Sequence, residues 1–220
     1  THIPLKSIQA EQLRKKALRD FEPPTPTKIV DLLDNNAVVS VEGLRQLIIS
    51  KLIGYQKGID GGEFNAANRF YTKDTNGDDI RLGEVESVEI IAERLDLLLS
   101  LQSIVITSEH QTKNQNRIDI TAAKVIDGKR RLLVIEAKGQ WHPDLYSAAT
   151  TQLYERYSVH PDAEQQGIYL AIWFGSNEKV ANRKRHNITS ALELKKSIED
   201  TLPAELRGFI DVFVLDVSRT

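Results

Sequence analysis

Two strand-like runs with ionisable groups set into them constrain this chain more than any other feature. Arg117-Ile118-Asp119-Ile120-Thr121 and Arg131-Leu132-Leu133-Val134-Ile135-Glu136-Ala137-Lys138 are mostly apolar, yet they hold two acids and a lysine. Charge inside a buried strand is costly unless it is paired or binds a metal. Strand side chains alternate faces with a period of two. Glu136 and Lys138 therefore share a face, with Ile135 and Ala137 on the other, and Asp119 lies opposite in face to Ile118 and Ile120. If the strands pair with Asp119 near Glu136, two carboxylates and an ammonium converge. Two hard oxygen ligands, with other positions left to water and phosphate, suit Mg²⁺ or Mn²⁺. Such an ion lowers the pKa of a bound water and stabilises charge on a reacting phosphodiester. A lysine beside it orients the nucleophile or neutralises developing charge.

An acid two residues before a lysine is a weak signal by itself. Asp127-Gly128-Lys129 falls in a turn and Glu193-Leu194-Lys195 on a helix. Only Glu136-Ala137-Lys138 ends a buried-looking strand with a further acid in the strand before it. The bland alternative is a structural ion pair between Glu136 and Lys138.

The elements around these strands follow from periodicity. Leu5, Ile8, Leu13 and Leu18 suggest an amphipathic helix, stopped by Pro23, Pro24 and Pro26. A second helix follows Thr27, and another begins at Ser40 or Val41 with Leu44, Leu47, Ile48 and Leu52 at helical spacing. Residues 54–83 hold six glycines and read as a loop or linker. Asp74 to Asp79 places its glycine too early for a calcium loop, so a polar turn is expected. Residues 84–101 make the most convincing helix, with Val88, Ile91, Leu95, Leu98 and Leu99 on one face. Strands follow at 104–107, around Asp119 and at 131–138, the last two joined by an Asp127-Gly128 hairpin turn. A helix from about Ser147 to Tyr157, a nearly all-apolar strand at 167–174, a helix from about Ser190 to Glu205 interrupted at Pro203, and a last strand at 209–217 complete the pattern. Strand, helix, strand implies a parallel pair. The fold class expected is α/β: a mixed central sheet flanked by helices, in the order αβββαβ plus a further helix and strand. Residues 1–60 form an N-terminal helical segment or connector, and 84–220 form the domain proper.

A net charge of −2 gives no general attraction to nucleic acid, so a DNA partner would need a local basic patch. Lys179, Arg183, Lys184 and Arg185 read either as such a patch or as solvated surface and helix-start charge. There are no cysteines, which excludes disulfides and thiolate zinc sites and fits a reducing, cytoplasmic setting. No apolar run approaches the roughly 20 residues that span a bilayer, so no membrane partner is expected. The chain has no methionine and starts at Thr1, so we expect it to be the C-terminal part of a larger protein whose upstream region is a partner. There is no phosphate-cradling glycine loop. The histidines show no metal-ligand spacing. His142 stands four residues past Lys138, beside Trp141. Trp141 reads either as a stacking surface for a base or as a core anchor.

Asp119, Glu136 and Lys138, in that element order, resemble the PD-(D/E)XK nuclease superfamily over roughly residues 84–174. Sixteen residues separate the two acids, a suitable hairpin length. Ile118 stands where proline is common. The resemblance implies a metal-dependent endonuclease acting on DNA. In it Asp119, Glu136 and the Ala137 carbonyl hold Mg²⁺ or Mn²⁺, and Lys138 positions or activates water. It also implies a supporting first-helix glutamate, Glu89 or Glu86. Gln152 fits the glutamine of the helix after the lysine strand, with Arg156 one turn on. The spacing from Gln152 to Tyr157 is one residue longer than in similar glutamine–tyrosine motifs. Trp141, His142, Arg156, Arg183, Lys184 and Arg185 are the expected nucleic-acid contacts, and a homodimer that cuts both strands is a further implication. Lys138-Gly139-Gln140-Trp141 with Thr151-Gln152-Leu153 resembles nuclease-like C-terminal domains of large bacterial proteins, some of them in defence against foreign DNA. Two rival expectations share the fold: an inactive nucleic-acid- or protein-binding module, and an antibacterial nuclease toxin domain.

Overall fold

The computed structural model describes residues 11, 12, 14–16, 18, 19, 38–111, 117–182 and 187–219. The proline connector, the helix expected after Thr27 and the basic positions Arg183, Lys184 and Arg185 lie outside the described residues. The fold is mixed α/β, as the alternation of strand and helix patterns predicts. A sheet of five strands runs in the order β3 (Val105–Gln111), β4 (Arg117–Ile126), β5 (Lys129–Gly139), β6 (Gly167–Trp173) and β7 (Ile210–Asp216). β3, β4 and β5 are antiparallel neighbours, and β5, β6 and β7 are parallel.

Local chemistry explains the elements. Asp127 and Gly128 take positive φ of 49° and 72°, which a two-residue hairpin between right-twisted strands requires. Every residue of β6 is buried. That is the mark of a parallel strand covered on both faces. On one face α1 (Val41–Asp60) and α2 (Glu84–Leu99) set Leu44, Ile48, Leu52, Val88, Ile91 and Leu95 against Ile120, Leu133, Ile135 and Leu170. On the other, a π-helix (Ala149–Ser158) and α3 (Ala191–Thr201) set Leu153, Leu194 and Ile198 against Val134, Tyr169 and Val212. Among the described residues no helix is long and apolar enough to cross a membrane.

Three elements differ from the sequence reading. α1 runs to Asp60 through Gly54 and Gly58, because its buried stripe from Leu44 to Ile59 outweighs about 1 kcal/mol of propensity lost per glycine. It packs in the same core as α2 and the sheet. The expected linker then holds a 3₁₀ turn (Glu63–Phe70) and a hairpin of β1 (Tyr71–Lys73) and β2 (Asp79–Arg81). Asp74 closes that hairpin, its carboxylate accepting from the Asn76 and Asp78 N–H groups. Finally, the helix after β5 has π geometry rather than α.

Candidate functional site

The site forms where β4 parts from β5. Ile120 and Ile135 are the last paired residues, and one step further the register brings Asp119 and Glu136 opposite each other. Here the Asp119 carboxylate accepts the Ala137 N–H at 2.8 Å, so a side chain ends the ladder. Glu136 and Lys138 share a face, as their spacing requires. The Lys138 ammonium donates to Glu136 Oε1 at 2.7 Å and to the Ala137 carbonyl at 2.9 Å. It also lies 3.5 Å from Glu84 and 3.6 Å from Asp119. Glu136 and Lys138 are only 2% and 5% exposed. Beneath them β6 places the fully buried Tyr169 beside Glu136, its hydroxyl donating to the Leu145 carbonyl.

Of the α2 glutamates, Glu84 is the one that reaches this cluster. Glu86 and Glu89 are exposed on α2. Glu84 is the first residue of α2 and reaches the strand end, where its carboxylate accepts the Gly139 N–H at 2.9 Å. The usable signal was position: an acid at a helix start complements the macrodipole and can leave the helix axis toward the sheet.

Electrostatics follow from burial. Desolvation, then the Asp119 charge, pushes the Glu136 carboxyl up to about 7 despite Lys138 beside it. Desolvation also raises Asp119, against the pull of Lys138 and the Ala137 N–H. Burial opposes the Lys138 ammonium, yet Glu136, Asp119 and Glu84 outweigh it and hold the lysine above its ordinary value. Lys138 is therefore a cation at neutral pH. Glu136 Oε2 is buried and has no hydrogen-bond partner. Such an orphan acceptor is a strong sign that a group belongs there.

The remaining expected residues fall around this centre. Gln152 is half-buried and donates to Asp144, not to the three site carboxylates. Tyr157 is buried, and its hydroxyl is raised first by burial, then by the charges of Glu136 and Asp119. The π-helix accounts for its longer spacing, since i→i+5 bonding carries about one more residue per turn and brings Gln152 and Tyr157 toward one face. Arg156 is exposed. His142 is half-buried and accepts the Asp144 N–H. Trp141 folds back over Gly139, where a Cβ would stand 2.5 Å from its ring. Its indole packs on Phe174 at 5.5 Å and carries the Arg81 guanidinium at 3.3 Å from a ring centroid.

Among the described residues no group of three or more acidic or imidazole side chains is assembled as a metal cage. Two carboxylates and a carbonyl, with water completing the shell, are nonetheless a normal donor set for Mg²⁺. The unpartnered Glu136 oxygen fits that use. Comparisons with family models, curated proteins and solved structures return no match for this chain.

Proposed function

We propose that the chain is a metal-dependent endonuclease domain that hydrolyses DNA phosphodiester bonds, of the PD-(D/E)XK kind. One observation carries this reading. Glu84, Asp119 and Glu136 surround a single ammonium, so the fully ionised cluster keeps two uncompensated negative charges, the charge a divalent cation brings. A purely structural pair needs one acid and leaves no buried oxygen orphaned.

Asp119, Glu136 and the Ala137 carbonyl are the residues that would hold Mg²⁺ or Mn²⁺. When bound, the ion supplies Lewis-acid stabilisation of the phosphoryl oxygens and acidifies water. The chain's own groups do the rest. Lys138 offers N–H hydrogen bonds and positive charge to the oxygens on which charge develops. Glu84 fixes the end of β5 through Gly139, which keeps Lys138 on the reacting side. Tyr169 packs beneath Glu136 and limits water on that side.

Supercoiled plasmid incubated with Mg²⁺ or Mn²⁺ tests the reading. Wild type should nick and linearise it, while Asp119→Asn and Lys138→Gln, shown folded by circular dichroism in the same buffer, should lose at least ~100-fold in rate. Absence of cleavage of both DNA and RNA by wild type with either ion would sink the proposal.

A further inference from the structure

The Trp141 face that a nucleic-acid base would use carries Arg81. This stack lies at the end of β5, against Gly139. Arg81 ends β2, three residues before Glu84, and Trp141 lies two residues past Gly139, the residue whose N–H Glu84 accepts. The guanidinium is thus held against an aromatic ring at the end of β5, which lowers the entropy lost on binding. It is also unsaturated. Nη1 donates to the Leu82 carbonyl at 3.3 Å, and Nε is buried without a hydrogen bond. Among the described residues its one ionic neighbour is Glu178, 3.3 Å from Nε and itself partly exposed.

Glu178 belongs to the loop after β6, and that loop is anchored to the catalytic strand. Gln140, fully buried, accepts the Phe174 N–H and donates to the Gly175 and Lys179 carbonyls. Its own carbonyl accepts the Ala181 N–H. Glu178 is therefore held close to Arg81 while making only a loose contact with it. Arg forks bind phosphate oxygens in pairs, and a carboxylate at this range is a weak placeholder that a doubly coordinated phosphate can displace.

We propose that Arg81, set on Trp141, is a substrate-positioning residue that grips a backbone phosphate beside the scissile one, with Glu178 as its competitor in the empty site. This rests on the nuclease reading and adds a residue to it. Trp141 acts as the platform for the arginine, not as a stacking surface for a base.

Two substitutions at Arg81 and one at Glu178 test this, read by fluorescence anisotropy of a labelled DNA duplex in Ca²⁺ over a salt series, with cleavage in Mg²⁺ alongside. Arg81→Ala should weaken binding roughly 10-fold and reduce the slope of log K against log salt by about one phosphate contact. Arg81→Lys, which keeps the charge and loses the fork, should retain the slope and weaken binding several-fold. Glu178→Gln leaves the stack in place and should tighten binding about 3-fold. In cleavage, Arg81→Ala should raise KM with kcat largely kept. If wild type cuts but Arg81→Ala keeps affinity and salt slope, or Glu178→Gln weakens binding, the Arg81 assignment is overturned while the nuclease reading stands. If wild type neither binds nor cuts, the nuclease reading fails and takes this assignment with it.

Discussion

Replacing Glu136 by glutamine should stabilise the metal-free domain while abolishing its response to metal. The Glu136 carboxyl is raised from 4.5 to about 7, first by desolvation and then by Asp119. A raised acid binds its proton more tightly in the folded chain. The stability it contributes is therefore complete below pH 4.5 and is lost as pH climbs through 7. The displacement corresponds to about 3 kcal/mol, and it already includes the attraction of Lys138. Glutamine has the shape of the protonated acid and never ionises. In EDTA at pH 8, Glu136→Gln should exceed wild type by about 1 to 3 kcal/mol in urea unfolding, with the two curves meeting near pH 4.5. Mg²⁺ should reverse the order at pH 8, because ligand binding stabilises only the chain that binds it. A variant less stable than wild type by more than about 1 kcal/mol in EDTA at pH 8 would refute this reasoning. It would show the Glu136–Lys138 pair to be a structural asset rather than charge held in place for a ligand.

Other substitutions probe the same neighbourhood. Lys138→Met strips the buried carboxylates of their cation and should cost about 3 to 5 kcal/mol at pH 8 in EDTA. The loss should shrink at pH 5, where Glu136 is protonated, and in Mg²⁺; calorimetric or urea melts at the two pH values check this. Gly139→Ala drives a methyl to 2.5 Å from the Trp141 ring and should cost about 1 to 3 kcal/mol as the indole leaves Phe174 and Arg81. The change will show in tryptophan fluorescence. Tyr169→Phe leaves the buried Leu145 carbonyl without its donor and should cost about 1 to 2 kcal/mol in urea, with cleavage reduced less than by Asp119→Asn. Gly128→Ala, at a φ of 72° in an exposed turn, should cost about 1 kcal/mol and leave cleavage unchanged.

The strands of the candidate site were legible because their chemistry is local. Period-two alternation put Glu136 and Lys138 on one face, and the Asp127-Gly128 turn fixed a register that carries Asp119 opposite Glu136. Both follow from a hairpin whose loop length leaves no freedom. The hairpin of β1 and β2 was missed for the converse reason. Its strands are three residues each, and their signal is drowned by glycines that turn out to lie in α1 and in turns. The α1 extension depended on burial against the sheet, a tertiary gain that propensity does not register.

The choice among the α2 glutamates shows where sequence reasoning met its physical boundary. Periodicity tells which side chains face the core, and it does not choose among the glutamates of α2. A group that serves a site at the end of a sheet need not lie on the buried stripe. It must lie at the helix end that meets the strand end, which depends on the packing of α2 against β5 and not on its pattern. The same packing brings Arg81 and Trp141 together, residues 60 apart in sequence that flank Glu84 and Gly139 respectively. Glu84 is thus the joint between the hairpin arm and β5. Its loss should release both the Gly139 N–H and the alignment of Arg81. Glu84→Gln keeps an acceptor for Gly139 but removes one negative charge from the cluster. It should therefore lower metal affinity while preserving the Arg81-dependent salt slope, and Glu84→Ala should disturb both. Equal loss of the salt slope in the two variants would show that charge, not the Gly139 hydrogen bond, holds the end of β5 in place.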